Sequence, residues 1–318
     1  MHHVLTPSRR KNGSQKPLFT SGIANSPFNP PLYPYNHSIP TDLYNALATE
    51  VGCDTAANKL SCLRGKPLIP DLRDANIRVA ERGAYGTFSW YPVIDGRFVS
   101  KGPAAGLGAG KAHNGQKLIV THQVRDGFLF TPSGIQTEAE ATGFLHELIP
   151  TISNATLASL EALYTPAAGF PDPALKLEGM IKDYLFHCLT QQMADTFSTG
   201  SNAAYKGQWQ LSPGFHVDDV AYYYNAEPEK LASRSTFENW TGSFAKFIKT
   251  GNPDAGVNPN PATNVKWKKW QGYSAGKGWE KTFGVDANQV SQTAMEKVDA
   301  ATWQRCQAWK AAAGETFQ

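Results

Sequence analysis

The sequence predicts an α/β protein, a mostly parallel sheet with helices on its faces. Two observations carry that expectation. Short β-branched runs recur, the clearest being KLIVTHQV at 117–124, and helical periodicity fills the spans between them. The 318 residues are 41% hydrophobic, enough for one sizeable core, and no linker or repeat of fixed period divides them. One domain is expected.

In chain order, GIANSPF (22–28) reads as a short buried strand running into the Pro/Tyr-rich loop NPPLYPYN. TDLYNALATEV (41–51) reads as a helix, with Thr41 as N-cap and Leu43, Leu47 and Val51 on one face. LSCLRGKP (60–67) is the end of a second short helix, and WYPVIDGRFVS (90–100) alternates as an extended pair around Asp95-Gly96. KLIVTHQV is short and apolar enough to be buried on both faces. Helices follow over roughly 137–164 and 174–197, then a strand at AYKGQWQL (204–211). RSTFENWTGSFAKFIKTG (234–251) is helical up to Gly251, before the stop signal Asn252-Pro253. VDAATWQRCQAWKAAAG (298–314) is a last amphipathic helix.

Composition excludes several classes of function. Charged residues are 18%, with 28 Gly and 21 Pro, which suits a loop-rich globular chain and not a coiled coil or a disordered one. Net charge is +3 without a basic stripe, so no nucleic-acid partner is expected. No apolar run reaches the ~18 residues of a membrane span, and MHHVLTPSRRKNGSQK lacks a signal-peptide core. Cys53, Cys62, Cys188 and Cys306 fit no zinc spacing, and the adjacent His2-His3 has no partner at i+4. GLGAGK (106–111) lacks the spacing of a dinucleotide or phosphate loop. Trp267, Lys268, Lys269 and Trp270 hold too few lysines for a stacking patch and read as a loop with packed tryptophans. No metal or cofactor is expected.

Two segments place an ionisable group just past a predicted strand, where function concentrates in open α/β sheets. Asp126 follows KLIVTHQV, and His216 follows AYKGQWQL in a turn after Pro213-Gly214. Alone, an Asp before Gly is a turn residue and a loop His is solvated. Together, acid then His, they form the acid–base half of a nucleophilic triad. A literal G-x-S-x-G runs from Gly272 to Gly276 around Ser274. It lacks the preceding strand and following helix that a nucleophile elbow needs, and reads as a surface loop.

The segments PLFTSGIANSPFNPP (17–31), SCLR (61–64), YPVIDGRF (91–98), VRDGFLFTP (124–132), GFHVDDVAYYY (214–224) and FAKFIKTGNPD (244–254) occur in that order. As an ordered set they resemble the C-terminal part of the type B carboxylesterases, the family of fungal lipases and cholinesterases. The resemblance implies an α/β-hydrolase fold, N-terminally truncated, with residues 1–318 as the C-terminal portion of the domain. The last three strands of the sheet would be 22–28, 117–124 and 204–211. The family's catalytic acid falls on Asp126, where Glu is commoner, and its catalytic histidine on His216. The family's serine would lie several residues before Met1, and its oxyanion loop further upstream, so this chain alone is expected to be inactive. The reaction implied is hydrolysis of a small-molecule or lipid carboxylic ester through an acyl-enzyme, without a cofactor.

Cys53 and Cys62 match a disulfide position of the resembled family. Cys188 and Cys306 are left as candidates for a second, long-range bridge. Asn12, Asn36, Asn154 and Asn239 each open an N-x-Ser/Thr sequon, and with the cysteines they point to secretion. The truncation would account for the absent signal peptide. Two other readings stand beside this one: a non-catalytic, esterase-like interaction or adhesion protein, and a hydrolase that uses Ser274. An upstream elbow would argue against the first, and mutation of Ser274 tests the second.

Overall fold

The computed structural model describes residues 2–5, 18–108, 114–224, 231, 233–254, 265–273 and 276–318. Among the described residues, five strands form one mixed sheet in the order β1-β2-β3-β4-β5. β1 (Ser21–Asn25), β2 (Lys117–Gln123), β3 (Ala203–Trp209) and β4 (Trp279–Val285) run parallel, and β5 (Ser291–Lys297) returns antiparallel to β4. The sequence predicted three strands, and the structure adds two. The missed hairpin lies in a stretch whose glycines and charges read as a loop, yet Glu280 and Lys281 are buried in β4. Inward-facing charges erased the alternation by which a strand is recognised. The hairpin closes where the Asp286 carboxylate accepts the N–H groups of Asn288 and Val290.

β2 and β3 form the centre, with strand pleating dividing their side chains between two cores. Leu118, Val120 and Ala204 pack with Leu189, Met193 and Phe197 on one face. Ile119, Tyr205 and Trp209 pack with Trp240, Phe247 and Phe283 on the other. Each large apolar side chain so buried contributes roughly 1.5–3 kcal/mol. The Arg234–Thr250 helix covers this second face and ends as predicted, with Gly251 in the left-handed region at φ 70°.

Four expectations are corrected. β1 is five residues long and not buried: Ile23 is 37% exposed, and the strand stops where Ser26 turns to φ 38°. The helix placed at 41–51 is Ser38–Glu50, capped by His37, whose Nδ1 accepts from the Ile39 N–H at 3.3 Å. Pro40 sits in its first turn, where no N–H is required, so Thr41 is not the cap. Residues 90–100 form no strand pair. Ile94 makes a single bridge to Pro34, while Asp95 accepts the N–H groups of Arg97, Phe98 and Val99 in a tight turn.

The fourth correction divides the helix expected over 137–164 into two, Glu138–Leu148 and Asn154–Glu161. Thr137 and Glu140 form a capping box on the first, Pro150 prevents its continuation, and Ser153 caps the second. The helix expected over 174–197 is continuous from Pro173 to Thr196, with a π-helical turn at Asp183–His187. That turn aims Asp183 and His187 inward. Asp183 accepts hydrogen bonds from Tyr164 Oη at 2.9 Å and Arg305 Nε at 2.8 Å. Arg305 belongs to the C-terminal helix Ala300–Ala311.

Both cysteine pairs are bonded. Cys53–Cys62 has a Cα separation of 5.8 Å, and Cys188–Cys306 one of 4.9 Å. Asn36 and Asn154 are exposed, whereas Asn239 is half-buried and donates to Ser291 Oγ at 2.8 Å. Asn12, Lys111 and Ser274 lie outside the described residues, as do the side chains of His2 and His3. Trp267 and Trp270 are buried with Lys268 and Lys269 exposed, as the sequence implied. Among the described residues, no helix is long and apolar enough to cross a membrane.

Candidate active site

The site forms at the carboxyl ends of β2 and β3, which are adjacent and parallel. Past β2 the chain turns at Arg125-Asp126-Gly127, and past β3 it turns at Pro213-Gly214-Phe215-His216. The two turns are tied to each other. Arg125 N–H donates to the Gly214 carbonyl at 2.9 Å, and the Phe128 and Phe215 rings stack at 4.1 Å. The Arg125 guanidinium lies over both rings and is held by a two-point ion pair with Glu178, at 2.9 and 2.7 Å. Two glycines make these approaches possible. A Cβ on Gly127 would stand 2.1 Å from the Glu178 carbonyl oxygen. Gly214 adopts φ 70°, a conformation side chains other than glycine's seldom take.

The structure brings the two predicted residues together across 90 positions of sequence, with His216 Nδ1 2.7 Å from Asp126 Oδ1. Asp126 is fully buried, and the His216 side chain is 21% exposed. The second carboxylate oxygen accepts from the Gln123 N–H at 2.7 Å and from Ser26 Oγ at 3.1 Å. A carboxylate against Nδ1 fixes the imidazole tautomer and orientation, which leaves Nε2 as the nitrogen that exchanges a proton. Phe130 and Phe186 flank the ring, at centroid distances of 5.3 and 4.6 Å.

Three neighbours were not singled out from sequence. Ser26 is 100 residues from Asp126 and carries no local signal. Gln123 links two carboxylates: its N–H binds Asp126, and its Nε2 donates to Asp219 Oδ1 at 2.5 Å. Asp219 was legible, standing three residues after His216 in HVDD. It is buried, and its Oδ2 has no protein partner among the described residues. Burial and then the Asp126 charge push its carboxyl up to about 7. Ser26 and Val217 hold positive φ, 38° and 72°, on either side of the Asp126–His216 pair. Such strain persists only where surrounding contacts impose it.

A groove of about 760 Å³ lies nearby, with Tyr33, Tyr35, Tyr44, Phe88, Trp90 and Tyr91 among its lining residues. Neither Asp126 nor His216 lines it. Two aromatic layers intervene: Phe28 contacts Phe88 and Tyr91 on the groove side and Phe130 and Phe186 behind it, and those two rings flank His216. Among the described residues, one buried group has donor atoms close enough to hold a metal ion: His122, His187 and Glu280.

The carboxylesterase family model matches residues 1–303. Lipase 5 of Diutina rugosa is 31% identical over 84% of this chain and 50% of its own length. Secreted lipase 4 of Gibberella zeae is 23% identical over 74% of this chain and 46% of its own. The chain thus spans about half the length of these relatives. Among solved structures, Aspergillus niger EstA superposes on the whole chain and on 62% of its own, with a TM-score of 0.74 at 16% identity. That likeness fixes the fold as α/β-hydrolase, here presenting five strands of its sheet. Matched over nearly its full length, the chain belongs to the carboxylesterase family.

Proposed function

We propose that this chain carries the acid and the general base of a serine carboxylic ester hydrolase, Asp126 and His216. The carrying observation is the 2.7 Å contact between them at the end of the sheet. A serine hydroxyl attacks the ester carbonyl carbon while His216 Nε2 takes its proton. The tetrahedral adduct collapses, the imidazolium gives that proton to the departing alcohol oxygen, and an acyl-enzyme remains. Water then attacks with the same base, releasing the acid. The Asp126 carboxylate holds the ring in place and opposes the charge that His216 acquires. In the α/β-hydrolase order the serine and its oxyanion donors precede the acid and the histidine.

The aromatic groove gives the apolar part of a small-molecule or lipid ester a surface two ring layers from His216. Two disulfides, two exposed sequons and relatives named as secreted lipases support a secretory route. The test expresses this chain beside a version extended upstream through an elbow serine, and assays both on a short-chain aryl ester. Activity confined to the extended form and lost in His216→Ala supports the proposal. Activity of the short chain that Ser274→Ala abolishes overturns it in favour of a Ser274 hydrolase. Inactivity of an extended, folded form favours the binding-protein reading.

A further inference from the structure

Beneath the acid-bearing turn, on the opposite face of β2 from Gln123, lies a buried cluster with no part in ester hydrolysis. His122 comes from β2, Lys206 from β3, Glu280 from β4, and His187 from the π-helical turn packed over them. Lys206 and Glu280 are partners in register across the sheet and form an ion pair. The Lys206 ammonium lies 3.0 Å from His122 Nε2 and 3.4 Å from His187 Nε2. Its three N–H groups therefore meet three acceptors.

The outer nitrogens of the two rings are as informative as the inner ones. His187 Nδ1 faces Asp183 Oδ1 at 3.1 Å, and His122 Nδ1 faces the Gln123 carbonyl at 3.2 Å. Each acceptor takes a hydrogen bond from Nδ1–H, which leaves both Nε2 atoms facing one point, where His122 Nε2 also stands 3.0 Å from Glu280 Oε2. A carboxylate or a backbone carbonyl behind each imidazole, with Nε2 facing a common centre, is how metal-binding histidines are oriented. The third donor is a carboxylate oxygen, and two histidines with a glutamate are a known zinc donor set. The three donor atoms lie within 4.8 Å of one another, against the ~3.4 Å spacing of a tetrahedral zinc site. Inward shifts of about an ångström, into the space the lysine fills, would close that difference.

We propose that His122, His187 and Glu280 form a cation site of the zinc class that the chain fills with its own Lys206 ammonium. The lysine joins three strands and the overlying helix as a structural metal would, and by occupying the centre it excludes one. This goes beyond ester hydrolysis and stands whether or not Asp126 and His216 are catalytic.

The experiment titrates Co²⁺ and Zn²⁺ into the 318-residue chain, its Lys206→Ala variant and the Lys206→Ala/His187→Ala double variant. Lys206→Ala is expected to bind one Co²⁺ with the intense visible absorption of four-coordinate cobalt. Saturating Zn²⁺ should raise its Tm by roughly 5–10 °C. The wild type and the double variant should show neither. A folded Lys206→Ala that binds no Co²⁺, a double variant that binds it equally, or a wild type that gives the same spectrum would each overturn the proposal. Should Lys206→Ala fail to fold by itself, refolding it with Zn²⁺ decides. Recovery of the native far-UV dichroism supports the site, and an unfolded chain with and without Zn²⁺ counts against it.

Discussion

Replacing Asp219 by Asn isolates the cost of a second carboxylate beside Asp126. In the folded chain Asp219 is buried with one oxygen unpartnered, and its carboxyl is raised from 3.8 to about 7. A raised carboxyl favours the folded state while both states are protonated, below about pH 4. As pH climbs from there the unfolded chain releases its proton while the folded chain retains it, so stability falls until about pH 7 and then levels. Three pH units at ~1.4 kcal/mol each give a loss of roughly 4 kcal/mol attributable to this group. Asn cannot ionise, and its carbonyl still accepts from Gln123 Nε2. Urea unfolding followed by tryptophan fluorescence at several values between pH 4 and 8 measures both proteins. The Asp219→Asn profile should lack the wild type's downward component and lie above it at pH 8, with the gap closing toward pH 4. Parallel profiles, or a variant less stable at pH 8, would refute the assignment.

Removing the Ser26 hydroxyl with Ser26→Ala should cost about 1.5–3 kcal/mol in the same unfolding assay, the range for a buried hydrogen bond to a charged group. Val217→Asn relieves a β-branched residue at φ 72° and should stabilise by up to about 1 kcal/mol, visible as a raised urea midpoint. Expressed through a eukaryotic secretory pathway, the chain should carry glycan at Asn36 and Asn154, with each Asn→Gln variant running faster on a denaturing gel. Asn239→Gln should leave mobility unchanged, because the Asn239 amide is committed to Ser291.

The central strands and the acid–histidine pair were legible because each depends on local pattern: a β-branched run, then a charged residue at its end. The resemblance supplied what pattern could not, namely that residues 126 and 216 meet. β4 was hidden because its inward charges make sense only beside their partners, Glu280 opposite Lys206 from 74 residues away. Ser26 was hidden for the same reason, since its role is defined by a carboxylate 100 residues on. The early start of the Ser38–Glu50 helix rests on an imidazole acting as cap, outside the usual Ser, Thr, Asp and Asn. Asp219 was within reach: the doubled aspartate after His216 placed a second carboxylate near the first.

The Cys188–Cys306 bridge makes the host compartment a determinant of folding yield. It closes a loop of 118 residues, worth about 5 kcal/mol in the chain-entropy account. Arg305, one position before Cys306, is the guanidinium that answers the buried Asp183 carboxylate. In a reducing cytosol the C-terminal helix loses its covalent tether and docks only through noncovalent contacts, the Arg305–Asp183 ion pair among them. Each excursion of that helix exposes Asp183 to a core without its countercharge, a loss of about 3–5 kcal/mol. Both penalties fall on the same event, so the thiol–disulfide balance of the expression host sets how often this part of the core closes.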